Sequence, residues 1–133
     1  MEKEKVYELL KEAQTKSYSP YSKFRVGAIL VMKDGKIILG ANLENAAYGL
    51  CICAERTALF QYKLLGYKPE DIEIFGVIGD TDDYISPCGS CRQVMAEFLN
   101  KDTKVWLFNS KGDYKEVTVE DLLPFSFSKD DMK

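Results

Sequence analysis

Apolar positions set the framework of this chain. Val6, Leu9, Leu10 and Ala13 recur at helical spacing, which predicts an amphipathic helix over residues 3 to 16, stopped by Ser17-Tyr18-Ser19-Pro20. After the loop Tyr21-Ser22-Lys23, residues 25 to 32 form a short, branched apolar run, as expected of a strand covered on both faces. Asp34-Gly35 reads as a two-residue hairpin turn into a returning strand from Lys36 to Ala41. Ala54, Ala58, Leu59, Tyr62 and Leu65 mark a helix from Cys53 to about Leu65, ended by Gly66-Tyr67-Lys68-Pro69. Ile72 to Gly79 form a third strand. Pro87 suits the entry to a helix that carries Val94, Met95 and Phe98 on one face. Two more strands follow, Lys104 to Phe108 and Tyr114 to Val117. Thr118 with Asp121 forms a capping box and Val117 with Leu122 a hydrophobic staple, so a short helix should run to Pro124, with residues 125 to 133 as a tail. The predicted fold is α/β, a three-layer α/β/α sandwich around a mixed five-stranded sheet. Residues 1 to 133 are read as a single domain.

Composition narrows the classes of function. The chain is 46% hydrophobic and 29% charged with a net charge of −3, a globular balance with no basic stripe for a polyanion. Nucleic acid is therefore not an expected partner. No apolar run approaches ~18 residues, so no membrane span is expected. The mixed-charge start Met1-Glu2-Lys3-Glu4-Lys5 does not read as a secretory signal, and the expected location is the cytoplasm. In that reducing setting, four cysteines point to metal binding or catalysis before disulfides.

The chemistry gathers in two short stretches, Cys53-Ala54-Glu55 and Pro87-Cys88-Gly89-Ser90-Cys91. There is no histidine, so a zinc site here must use Cys53, Cys88 and Cys91. Zinc held by three side chains keeps a fourth position for water, and a neighbouring carboxylate, Glu55, can move its protons. Ligand-x-Glu followed by Pro-Cys-x-x-Cys is a signature of zinc-dependent nucleobase deaminases. Three thiolates around a dication leave an excess negative charge, which weakens the metal as a Lewis acid. Two helix N-termini and the adjacent Arg56 would offset it. Two rival readings use the same residues. Cys51 could complete a closed structural site of four thiolates, and Cys88-Gly89-Ser90-Cys91 could be a redox dithiol.

Longer motifs surround these residues: Tyr18-Ser19-Pro20-Tyr21-Ser22-Lys23-Phe24, Asn42-Leu43-Glu44-Asn45-Ala46-Ala47-Tyr48, Cys53-Ala54-Glu55-Arg56-Thr57-Ala58 and Ser86-Pro87-Cys88-Gly89-Ser90-Cys91-Arg92-Gln93. Together they resemble the small, homotetrameric cytidine deaminases over nearly the whole chain. The resemblance implies one zinc ion per chain and hydrolysis of cytidine and deoxycytidine to uridine and deoxyuridine, a step of pyrimidine salvage. It implies that Asn42 and Glu44 hold the ribose 3′-hydroxyl, that Phe24 packs against the pyrimidine, and that the Ala54 backbone and the Pro87 region meet the ring edge. It also implies that Tyr48 and a C-terminal aromatic serve a neighbouring subunit's site. Phe127 aligns best with that aromatic, and Phe125 is an extra ring beside it. A deaminase of a related aminonucleoside such as blasticidin S is the alternative substrate reading, against which stand Phe24 and the Asn42–Glu44 pair.

Overall fold

A computed structural model describes residues 1–132; Lys133, the last residue of the expected tail, lies outside the described residues. The strands are β1 (Val26–Met32), β2 (Ile37–Ala41), β3 (Ile72–Gly79), β4 (Lys104–Phe108) and β5 (Tyr114–Thr118). The α-helices are α1 (Lys3–Gln14), α2 (Ala54–Leu64), α3 (Gly89–Phe98) and α4 (Val119–Leu122). The sheet order is β2-β1-β3-β4-β5, with β3 and β4 parallel and every other neighbouring pair antiparallel. The predicted mixed five-stranded sheet is thus observed.

The continuous apolar run of β1 is explained by its two faces. Ile29 and Val31 pack with Val6, Leu10 and Ala13 of α1, whereas Ala28, Leu30 and Met32 pack with Ala54, Ala58, Leu59 and Tyr62 of α2 and Met95 of α3. Successive side chains point to opposite faces, so both layers draw on one strand. Each buried Val, Leu, Ile or Met side chain among these contributes roughly 1.5–3 kcal/mol. Buried Tyr62 also donates its hydroxyl to the Phe98 carbonyl at 3.1 Å and ties α2 to α3.

The topology decides where a site can form. Both β2 and β3 run antiparallel to β1, so they run parallel to each other and finish at the same end of the sheet. Gly27 pairs with Ala41 and Val26 with Gly79, which puts the start of β1 between the two finishing ends. The segments leading into α2 and α3 leave from those ends, so the first turns of both helices gather around residues 24–26.

Two local expectations are corrected. The hairpin turn is longer than two residues: Val31 pairs with Ile37 and the Met32 N–H bonds the Lys36 carbonyl at 2.8 Å. Lys33 to Gly35 make the turn, with Gly35 at φ +95° and the Asp34 side chain accepting the Lys36 N–H at 2.9 Å, a three-residue form closed by a left-handed glycine. Pro87 is not the first residue of α3. Cys88 caps the helix, its sulfur accepting the Cys91 N–H at 3.5 Å, and Pro87 precedes the cap. The Thr118–Asp121 capping box and the buried Leu122 match expectation.

Close backbone contact seats the helices. A Cβ on Gly27 would lie 2.7 Å from the Leu10 carbonyl oxygen and 2.9 Å from the Gln14 nitrogen, and one on Gly40 would strike the Ala54 carbonyl and lie 2.8 Å from the Ala58 nitrogen. Gly27→Ala and Gly40→Ala are therefore expected to lower unfolding free energy by about 1–3 kcal/mol, read from denaturant midpoints. Gly49→Ala, where a Cβ meets nothing within 4 Å, is expected to stay within about 0.5 kcal/mol. Equal midpoints for all three would contradict this account of the packing.

Candidate metal centre and active-site cleft

Cys53 is the N-cap of α2 and Cys88 the N-cap of α3, so the convergence of the two helices brings their sulfurs to 3.7 Å. Cys91, one turn into α3, adds a buried third sulfur, and all three lie within 4.8 Å of one another. A tetrahedral zinc with Zn–S bonds of ~2.3 Å needs sulfurs about 3.8 Å apart. The cluster fits one zinc ion per chain. It is the sole group of metal-ligating type among the described residues. Cys51 is outside it: its sulfur accepts the Asn45 N–H at 3.3 Å instead. That removes the geometric basis for a closed four-cysteine site. None of the four cysteines is in a disulfide.

Electrostatics within the cluster are uneven. A hydrogen bond from the Cys91 thiol, followed by the Arg56 guanidinium, holds Cys53 down at about 5. Cys91 is pushed the other way, chiefly because it donates to Cys53 and because it is buried. Arg56 Nη2 reaches the Cys53 sulfur at 3.5 Å. The Arg56 Nε is buried without a hydrogen-bond partner among the described residues.

Glu55, in the first turn of α2, is 4% exposed, although a glutamate there is usually solvated. Burial pushes its carboxyl up to about 7, the neighbouring Cys53 charge adds to the rise, and Arg56 opposes it. A carboxyl group poised near neutrality can both accept and return a proton.

Glu55 opens into a cleft of about 350 Å³ lined by Phe24, Val26, Asn42, Glu44, Cys53, Ala54, Ile85 and Cys88, among others. Its size falls within the roughly 300–1,000 Å³ of small-molecule sites. The Glu44 carboxylate accepts the Tyr21 N–H at 3.0 Å, the Ser22 N–H at 3.1 Å and the Ser22 hydroxyl. The Ser22 hydroxyl bond, the largest influence, holds the Glu44 carboxyl below the usual range. The Asn42 Oδ1 accepts from the Val26 N–H at 2.9 Å and the Ser17 hydroxyl at 2.6 Å, and its Nδ2 donates to the Phe24 carbonyl at 2.8 Å. Asn42 therefore braces the cleft wall as well as facing the cleft.

Two expected site residues stand apart. Tyr48 and Phe127 are exposed and do not line this cleft; Tyr48 packs edge-on against Tyr21, and Gln93 holds the Phe127 carbonyl at 2.9 Å. Ser22, Val26 and Ile85 line the cleft without having been singled out in the sequence. Ser22 lies inside one of the quoted motifs, so a signal for it existed; Ile85 carries only the pattern of a loop apolar residue.

Comparison with known proteins agrees with this geometry. Residues 1–107 match the family described as cytidine and deoxycytidylate deaminase zinc-binding region. The chain is 53% identical to a cytidine deaminase of Halalkalibacterium halodurans, covering 91% of this chain and 90% of that one. It is 48% identical to a cytidine deaminase of Sporosarcina psychrophila, covering 99% and 96%. A solved cytidine deaminase from Burkholderia pseudomallei superposes with a TM-score of 0.90 at 48% identity, covering 96% of this chain and all of that one. With a family match over most of its length and the three-sulfur centre in place, this chain belongs to the cytidine and deoxycytidylate deaminase family.

Proposed function

We propose that this chain, acting as one deaminase domain over residues 1–133, converts cytidine and deoxycytidine to uridine and deoxyuridine with release of ammonia. The observation that carries the reading is Glu55, buried beside three clustered sulfurs and opening into a nucleoside-sized cleft. Cys53, Cys88 and Cys91 hold the zinc, and Arg56 offsets the charge of the thiolates. Bound zinc supplies a Lewis acid that makes water a nucleophile near neutral pH. Glu55 takes a proton from the attacking water and delivers it to N3 of the pyrimidine as the water oxygen adds to C4. It then carries a second proton to the exocyclic amine, and the C4–N4 bond breaks to give the uracil carbonyl and ammonia. Because protons move with the bonding changes, no full negative charge builds on the ring.

The remaining cleft residues orient the substrate. Phe24 packs on the pyrimidine face, and the Ala54 backbone with the Pro87 region meets the ring edge. The Asn42 amide has a second N–H beyond the one bonded to Phe24, and a carboxylate has about four acceptor sites against the three bonds Glu44 receives. Both can thus still take the sugar 3′-hydroxyl. This sugar pair favours cytidine over an aminonucleoside antibiotic. Tyr48 and Phe127, exposed and away from their own cleft, are suited to complete the cleft of a second copy in a homotetramer. The acidic chain has no helix among its described residues long and apolar enough to cross a membrane, which fits a role in cytoplasmic pyrimidine salvage.

Replacing Glu55 with Gln is expected to keep the zinc and the melting temperature yet lower kcat for cytidine by several orders of magnitude. Loss of cytidine absorbance, followed beside a zinc assay, measures this. A Glu55→Gln enzyme with near-normal turnover would refute the proton-transfer role. Cys53→Ala, Cys88→Ala and Cys91→Ala are each expected to lose most of the zinc, whereas Cys51→Ala should keep one equivalent. Elemental analysis after gel filtration checks this; zinc loss in Cys51→Ala would restore the structural-site reading.

A further inference from the structure

The wall of the cleft that bears Phe24 is held mainly by side chains, with the sheet taking over only at Val26. Phe24 N–H donates to the Ser22 hydroxyl at 3.0 Å and its carbonyl accepts from Asn42 Nδ2 at 2.8 Å. Arg25 N–H donates to Asp80 Oδ2 at 3.1 Å, and its carbonyl accepts from Gln14 Nε2 at 3.1 Å. Val26 N–H donates to Asn42 Oδ1 at 2.9 Å, and its carbonyl accepts the Asn42 backbone N–H at 3.3 Å. Every backbone polar group from Phe24 to Val26 is thus taken, all but the last by a side chain. Just before this segment, Lys23 sits at φ +59°, a left-handed conformation that is unfavourable for a non-glycine residue. Such a conformation persists only where the surroundings over-determine it.

Part of that restraint comes from outside the cleft. Asp80 follows directly on β3, and Arg25 directly precedes β1, so the sheet register sets them side by side. The Arg25 guanidinium grips the Asp80 carboxylate in a fork, Nε to Oδ2 and Nη2 to Oδ1, each at 3.1 Å. Gln14, buried at the end of α1, reaches the Asp80 Oδ1 at 3.3 Å as well as the Arg25 carbonyl. Gln14, Arg25 and Asp80 are not among the residues lining the cleft. Gln14 Nε2 and the Asp80 carboxylate bond the backbone that carries Phe24 and each other, and the Arg25 guanidinium bonds Asp80.

We propose that Asp80, clamping Arg25 together with Gln14, is a positioning residue that fixes the Phe24 ring at the angle the pyrimidine requires. The proposal rests on the reading of Phe24 as the surface on which the pyrimidine packs. Without the clamp, the segment can swing about Lys23, and the ring no longer presents one face to the cleft. The metal centre, fixed separately by the starts of α2 and α3, is untouched. The clamp therefore acts on substrate binding and not on the chemical step.

The test compares the zinc-loaded full chain with Asp80→Ala, Asp80→Asn and Arg25→Gln. KM and kcat for cytidine, zinc content and amide hydrogen exchange over residues 22–26 are measured for each. For Asp80→Ala the expected result is a KM raised about tenfold with kcat within about twofold, unchanged zinc and faster exchange in that segment. Asp80→Asn, which keeps one acceptor oxygen, should fall between it and the wild type. Arg25→Gln, at a half-exposed position, should raise KM in the same direction and carries the test should Asp80→Ala fail to fold. Wild-type KM in the folded variants would overturn the proposal, and faster exchange with an unchanged KM would reduce the clamp to a stabilising contact. A wild-type chain that turned over no cytidine would instead defeat the proposed activity, while the exchange comparison still decides whether the clamp holds the segment.

Discussion

The site depends on two strands finishing side by side with a third starting between them. Because β2 and β3 both pair antiparallel with β1, their ends deliver the segments that lead into α2 and α3 to one end of the sheet. Three consequences follow from that register. Cys53 and Cys88 meet as the caps of two helices, Cys91 joins them one turn further in, and the Phe24 segment lies across the opening. Were β2 or β3 reversed, the helix starts would lie at opposite ends of the sheet and no single ion could bridge them.

Electrostatics turn this gathering of residues into a reactive centre. Cys53 and Cys88 both stand at helix starts, where the backbone carries a partial positive charge. Arg56 places its guanidinium 3.5 Å from the Cys53 sulfur, so a side-chain cation and the start of α2 both lie beside that residue. Glu55 sits between opposing influences. Burial and the thiolate raise its proton affinity, Arg56 lowers it, and the balance leaves a group able to work in both directions. A more exposed carboxylate at the same point would stay ionised and serve only as a base.

Much of this arrangement could be read directly from the residues, and the exceptions share a cause. Strands and helices followed their apolar spacing because both faces of β1 are buried, which leaves a strong signal. The cysteine cluster was legible because each half of it, Cys53-x-Glu55 and Cys88-x-x-Cys91, is a short-range spacing, although the halves meet only in the fold. The hairpin turn was misjudged because Asp34-Gly35 suits several turn lengths, and the strand register made the choice. Cys51 could be separated from Cys53 only in three dimensions, where Asn45 takes its sulfur. Gln14, Arg25 and Asp80 gave no signal at all, being polar residues 11 to 66 positions apart that meet through strand pairing. Tyr48 and Phe127 were expected near a nucleoside; both are exposed and neither lines the cleft of its own chain.

The central claim is that three sulfurs hold the zinc and leave one coordination position to solvent. X-ray absorption at the zinc edge on the purified chain tests it most directly. The account requires three sulfur scatterers at ~2.3 Å and one oxygen at ~2.0 Å. Four sulfur scatterers and no lighter atom would contradict it.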